Sequence, residues 1–312
     1  MKFTPIRYIL LICLLLTFSS NGFAVQGRFS VSKHDTLKIF IIGNSFSGNA
    51  TTYLPQLAKE GGHIIKFGRA ELGGCSLKQH WDGVVAAEAN ADDVKGKMYK
   101  GKSMKELLAA DKWDIVTIQQ YSRLSSSVAT YEPYISNLYE FIKKQQPKAR
   151  IVLHETWAYR RDAKQWGLIT EKEEAANDEQ MHEKLKANYL TFAGKLHTGI
   201  IPTGEAFWIM RNNRSWAYQP VSEAVVKAVV YPAVPPQPYS LNMGYYWLPD
   251  KTLKFDPNHA NVAGCYLGSL VWYHYLFGGR LKKVKYKPAE VSDEFATQLK
   301  KAATSAFKVS GF

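Results

Sequence analysis

Four short runs of apolar, mostly β-branched residues punctuate the chain, at positions 37–42, 115–118, 151–154 and 200–202. Each is largely apolar rather than alternating, with Lys38, Thr117 and His154 as polar exceptions, the pattern of a strand buried on both faces. A weaker fifth run covers 64–68. Between them, apolar positions return at helical spacing over 51–60, 102–111, 132–145 and a long polar-faced stretch at 172–196, and the apolar segment 260–277 reads as a final helix packing on the sheet. Strands alternating with helices predict an α/β fold with a central parallel sheet covered on both sides.

Residues 211–255 interrupt that rhythm. They hold Trp216, Tyr218, Tyr231, Tyr239, Tyr245, Tyr246 and Trp247, with five prolines from Pro220 to Pro238. So many aromatics argue against disorder, and a loop of this length in a compact domain is usually functional. The segment is expected to be a long ordered loop inserted into one domain spanning 25–312, since no internal repeat or low-complexity linker divides the chain.

The first 24 residues read as a secretory signal peptide: Lys2 and Arg7, an apolar run over 9–18, then Gly22-Phe23-Ala24. The run is far shorter than the roughly 20 residues of a spanning helix. Cys13 follows Ile12 rather than a small residue, so it is read as part of the signal and not as a lipid-anchored cysteine. The expectation is an exported protein, periplasmic or extracellular, with no integral membrane segment after cleavage and no nucleic-acid partner. Cleavage takes Lys2 and Arg7 and no acidic residue, so the formal charge falls from +13 by two, to +11. Much of that charge sits in Arg280, Lys282, Lys283, Lys285 and Lys287, which reads first as a solvated face. Cys75 and Cys265 alone remain, too few for a disulfide scaffold and leaving one bridge open.

The first strand ends in Gly43-Asn44-Ser45-Phe46-Ser47-Gly48. In a parallel sheet, ligands bind beyond the carboxyl ends of the strands, which is where this serine falls. A serine there is most simply a helix cap. Three further features at strand ends and near the C-terminus change its meaning. Asp256 lies three residues before His259 in "FDPNHANVAG", a spacing that lets a loop entering a helix supply both a base and the acid that orients it. Gly73 and Gly74 in "ELGGCSLKQHW" allow backbone N–H groups to approach a substrate. Gln119 and Gln120 close the strand in "WDIVTIQQYS" with amide donors. His80, His154 and His182 read as packed or surface residues, with His154 placed at a strand end where it can line a pocket.

This set, in this order, resembles the GDSL/SGNH hydrolase superfamily, and the finer pattern GNSF, GGCSLxxHW, WDxVTxQQxS and "LHETWAYR" is similar to a branch found in polysaccharide-degrading gut bacteria. The resemblance runs over roughly residues 37–278. It implies a three-layer α/β/α flavodoxin-like fold and a serine esterase with Ser45 as nucleophile, His259 as base and Asp256 as its orienting acid. It also implies an oxyanion hole from the N–H of Ser45 and of Gly74, or less so Gly73. The usual Gly-x-Asn-Asp after the third strand is missing, so Gln120, or less so Gln119, is expected in place of the asparagine.

No Gly-x-Ser-x-Gly elbow, His-Glu-x-x-His or Gly-x-Gly-x-x-Gly occurs, so other hydrolase, metal and dinucleotide chemistries lack support, and the expected mechanism uses no metal and no cofactor. The resemblance implies an acylated glycan or polysaccharide substrate, with acetyl as the simplest acyl group. Trp157, Arg160 and Trp247 are the expected substrate-binding residues, aromatic faces for sugar rings and a guanidinium for uronate carboxylates. A pectin methylesterase, a lipid or aryl esterase, an acyltransferase and a non-catalytic glycan-binding protein stand as alternatives.

Overall fold

The computed structural model describes residues 36–309, so the expected signal peptide lies outside the described residues. In chain order the elements are β1 (Thr36–Gly43), α1 (Ser45–Ala50), α2 (Leu54–Glu60), β2 (Ile64–Glu71), α3 (Leu77–Ala89), α4 (Met104–Ala109), β3 (Ile115–Ile118) and α5 (Tyr134–Gln145). Then come β4 (Arg150–His154), α6 (Asp178–Lys195), β5 (Gly199–Ile201), α7 (Thr203–Arg211), α8 (Glu223–Lys227), β6 (Asn242–Trp247), β7 (Leu253–Ala260), α9 (Val262–Phe277) and α10 (Asp293–Val309).

Strands β1 to β5 form one parallel sheet in the order β2-β1-β3-β4-β5. The largely apolar runs are its centre: Ile39, Phe40, Ile41, Ile42, Ile115, Val116 and Ile118 are wholly buried. Helices α3, α4 and α5 pack together on one side, while α7, α9 and α10 pack together with α1 and α2 against α9 on the other. The three-layer α/β/α arrangement is therefore the one implied by the resemblance. The chain leaves β1 toward β2 and returns across β1 to reach β3, so the connections diverge between those strands and open a crevice at their carboxyl ends.

Helices α1, α3, α7 and α10 were not expected. For α3 the local signal is nonetheless present: Ser76 caps the helix, its side chain accepting from the Gln79 N–H while the Gln79 side chain accepts from the Ser76 N–H. The expected 172–196 helix begins only at Asp178, where the Asn177 side chain caps it. Helix α9 is buried all round, with Tyr266, Leu267, Leu270, Val271 and Trp272 inside, which explains its lack of a polar face.

The 211–255 segment differs from the long loop expected. It contains the short helix α8 and the first strand of an antiparallel hairpin, β6 with β7, in which Gly244 lies opposite Asp256 and Trp247 opposite Leu253. Pro257 within β7 obscures the strand pattern in the sequence, because a proline removes a ladder donor. Arg160 secures this insertion. Its guanidinium is buried, binds Asp162 through Nε and Nη2 at 2.7 and 2.8 Å, donates to Gln237 Oε1 at 2.8 Å, and lies 4.2 Å from the Tyr218 ring centroid. Cys75 and Cys265 are both buried and free, so the possible bridge is not formed.

Candidate active site

The serine–histidine pair spans 214 residues of sequence and closes at the end of β1. Ser45 Oγ lies 2.9 Å from His259 Nε2, and His259 Nδ1 lies 2.7 Å from Asp256 Oδ2. The other carboxylate oxygen, Oδ1, accepts from the backbone N–H of Asn258 at 2.9 Å and of His259 at 3.0 Å. A carboxylate only accepts, so Nδ1 carries the ring proton and Nε2 is free to take the serine proton. Burial pushes the Asp256 carboxyl up, but the hydrogen bonds from His259 and Asn258 outweigh it and hold the group below its usual range. The hydrogen bond to Asp256 in turn raises the His259 imidazole above its ordinary value against the opposing effect of burial. Asp256 and His259 belong to strand β7 rather than to a loop entering the last helix.

Ser45 is the first residue of α1, immediately after the cap Asn44, whose Oδ1 accepts from the Phe46 N–H. Gly43 before it admits no side chain, since a Cβ would sit 2.5 Å from Ser47 Oγ. Behind the nucleophile runs a buried polar chain whose hydrogen-bond directions are all determined by that one N–H. Asn44 Oδ1 must accept, so the Gln119 atom 2.6 Å away is the amide nitrogen. The Gln119 oxygen then faces His154 Nδ1 at 2.6 Å, which must be the protonated nitrogen, and His154 Nε2 accepts from the Thr203 hydroxyl at 3.1 Å. Burial pushes the His154 imidazole down to about 3, so it stays neutral. At the other end Asn44 Nδ2 donates to Cys75 O at 3.1 Å and lies 3.5 Å from Gln120 O, tying the nucleophile turn to the β2–α3 loop and to the end of β3.

Gly74, in that β2–α3 loop, has φ +68°, a conformation glycine adopts without strain, and a Cβ there would meet only Tyr121 Cε2 at 3.9 Å. The N–H groups of Ser45 and Gly74 have no hydrogen-bond partner among the described residues. Gly73 is exposed at the turn beside Gly74. Gln120 is a correction to the sequence reading. Its Oε1 accepts from the N–H of Leu77 and Tyr121, and its Nε2 donates to Thr130 O and Oγ1, so the whole amide braces loops and offers no free donor. Gln119 uses one amide hydrogen on Asn44, and the second has no acceptor among the described residues.

Two of the three expected substrate-binding residues, Trp157 and Arg160, are corrected as well. Trp157 is wholly buried, sandwiched between Phe46 at 4.0 Å and Phe207 at 4.5 Å between ring centroids, and its Nε1 donates to Asn258 O at 2.9 Å. It holds the Asp256–His259 strand in place. Arg160 is engaged with Asp162 and the insertion, as above, while its backbone N–H donates to Pro257 O. Trp247 donates to Ala233 O at 2.6 Å and meets the Tyr231 ring edge-on, so it pins the proline-rich segment, three residue pairs along the hairpin from Asp256.

The sequence reading missed Asn44 as an organising residue, although its cap position is legible, and it missed His80. The latter is buried, donates from Nε2 to Gly43 O at 3.1 Å and accepts the Tyr99 hydroxyl at Nδ1, which anchors the end of β1. His182 is also buried, stacked on Trp208. Among the described residues no group of three His, Cys, Asp or Glu side chains is arranged to hold a metal ion, and no helix is long and apolar enough to cross a membrane.

Comparison with known proteins follows the same fold. A family model described as "Domain of unknown function (DUF4886)" matches residues 38–204. The crystal structure of a DUF4886 family protein from Bacteroides uniformis is similar over 88% of this chain and 95% of its own, at 22% identity and a TM-score of 0.65, which shows a shared fold. The periplasmic domain of a lipopolysaccharide acetyltransferase from Salmonella Paratyphi A is more distant, with 14% identity over 80% of this chain and 85% of its own and a TM-score of 0.43. No curated protein sequence matches the chain.

Proposed function

Because this chain belongs to the DUF4886 family, whose description names no activity, we propose its function from the site itself: a serine esterase that removes acyl groups from glycans. The observation that carries the reading is the unbroken connection from Ser45 Oγ through His259 to Asp256, at 2.9 and 2.7 Å. A glycan-binding module has no need of a histidine poised as a base or of a half-buried carboxylate to orient it.

His259 Nε2 takes the Ser45 proton as Oγ attacks the ester carbonyl carbon. The negative charge that develops on the carbonyl oxygen is met by the free N–H groups of Ser45 and Gly74, with the spare hydrogen of Gln119 as third donor in place of Gln120. Collapse of the tetrahedral intermediate breaks the ester bond, and the leaving alcohol takes the proton from His259. Water, deprotonated by the same imidazole, then attacks the acyl-serine, releasing the carboxylic acid and restoring the serine. Neither step calls on a metal or an organic cofactor.

The glycan alcohol and the acetyl group come from the resemblance to secreted SGNH enzymes. A cleft beside the triad lined by Arg123, Lys164, Gln165 and Asn258 suits a hydrophilic alcohol better than a long acyl chain. The test is acetate and methanol release from acetylated xylan, pectin and a small aryl acetate by the protein and by Ser45→Ala. The proposal expects acetate, with a loss of at least about a hundredfold in the variant. Equal rates for the two proteins on every substrate overturn it; methanol in place of acetate redirects it to a methylesterase.

A further inference from the structure

A cleft of about 340 Å³ adjoins the catalytic strand, walled on one side by Phe255, Pro257 and Asn258, the chain neighbours of Asp256 and His259, and on the other by Tyr121, whose ring reaches toward Gly74. The alcohol oxygen released from the ester must receive its proton from His259, so the alcohol lies on the His259 side of the carbonyl. On the proposed reading, this cleft is therefore where the alcohol sits.

The cleft has an uneven charge. Arg123 is answered by Glu174, 2.5 Å away, and also donates to Trp166 O. Asp256 is paired with His259, and Asp162 with Arg160. Lys164 is exposed and has no ion pair or hydrogen bond among the described residues. Asn258 also lines the cleft, and its buried side-chain oxygen has no hydrogen-bond partner among the described residues. The wall thus offers one uncompensated cation and an unpartnered amide oxygen within reach of the same occupant.

We propose that the cleft is a subsite for an anionic sugar, with Lys164 pairing its carboxylate and Asn258 binding a ring hydroxyl. This makes Lys164 a specificity-determining residue for the esterase reading, on which the proposal rests. The recognised chemistry is a hydroxylated ring bearing negative charge near the ester, and a sulfated sugar would present the same charge.

Binding separates this proposal from catalysis. Ser45→Ala protein is titrated calorimetrically with a galacturonate trisaccharide, with the same trisaccharide methyl-esterified on its carboxylates, with xylotriose and with a sulfated trisaccharide. The charged form is expected to bind at least about fivefold more tightly than its methyl ester, the scale of one partly exposed ion pair. In the Ser45→Ala background, Lys164→Gln should erase that ratio and Lys164→Glu should invert it, with thermal midpoints unchanged because Lys164 makes no ion pair or hydrogen bond among the described residues. Preference for the sulfated over the carboxylated ligand, with the same dependence on Lys164, identifies sulfate as the source of the charge and keeps the site. Equal affinity for charged and methylated forms, or a ratio unaltered by either Lys164 change, overturns the proposal. Aryl acetate hydrolysis by the parent, lost in Ser45→Ala, reports the esterase reading separately, so each can fail without the other.

Discussion

Replacing Asn44 by aspartate changes one amide nitrogen to oxygen in a residue with no exposed surface, and its consequence follows from the polar chain behind the nucleophile. Asn44 Oδ1 receives two donors, the Phe46 N–H and Gln119 Nε2, and a carboxyl oxygen serves equally well there. Nδ2, in contrast, faces two carbonyl oxygens, Cys75 O at 3.1 Å and Gln120 O at 3.5 Å. An ionised carboxylate turns an oxygen against both, a buried charge without its counterpart, costing about 3–5 kcal/mol. A protonated carboxyl can still donate to Cys75 O, and the cost falls to about 1 kcal/mol. The introduced carboxyl should therefore have a folded-state pKa raised about two to three units above its ordinary value near 3.9, at roughly 1.4 kcal/mol per unit. A group whose folded pKa is raised stabilises the fold below its unfolded pKa and loses that contribution as pH climbs through the folded value. Thermal unfolding of Asn44→Asp and the parent from pH 4 to pH 8 reads this directly. At roughly 2–4 °C per kcal/mol for a chain of this size, the variant should melt within a few degrees of the parent at pH 4 and about 6–20 °C below it at pH 8. A gap that stays flat or narrows as pH rises would mean that Asn44 does not turn its NH2 toward Cys75, and the hydrogen-bond directions deduced through Gln119 to His154 would fall with it.

Three further outcomes are expected. Since His259 must be neutral to act as base and Asp256 raises its pKa, kcat/KM should fall as pH drops through a value above the ordinary imidazole figure of about 6.5; Asp256→Asn should move that limb downward and cut kcat by about 10⁴-fold, and a pH–rate profile showing no shift refutes the pairing. Trp157→Phe keeps the stack between Phe46 and Phe207 but removes the shorter of the two donors to Asn258 O, leaving Asn242 Nδ2 at 3.2 Å, so kcat should drop while glycan affinity in a Ser45→Ala background is unchanged; a selective loss of affinity restores Trp157 to the substrate surface. Arg160→Ala takes the counter-charge from Asp162, which keeps only the Tyr218 hydroxyl, and one donor from Gln237 beneath the insertion, and should cost about 3–5 kcal/mol in denaturant unfolding; a loss under 1 kcal/mol refutes Arg160 as the group that secures the insertion.

Much of this architecture was legible in the chain because it is local. A largely apolar, β-branched run has few alternatives to a strand buried on both faces, and four of them with a weaker fifth, separated by helical segments, leave little besides a parallel sheet. The strand ends then bring Ser45, Gly74 and the Gln119–Gln120 pair to one edge, and the order of motifs supplied Asp256 and His259. What remained hidden depends on partners far away in sequence. Two adjacent glutamines are equivalent as text, yet in the fold Gln120 faces Thr130, Leu77 and the Tyr121 N–H while Gln119 faces Asn44 and His154, because successive residues at the end of a strand point to opposite sides. Trp157 and Arg160 look like ligand-binding side chains by type, and only packing shows them closed off by Phe207 and by Asp162. The strand that carries Asp256 and His259 was likewise decided by pairing with β6, since Pro257 masks its alternation and only a partner strand can supply the ladder. Residue types and spacing thus determined which groups stand at the sheet edge; the tertiary fold decided which of them remain free to meet a substrate, because a buried polar group binds whatever the surrounding chain presents to it.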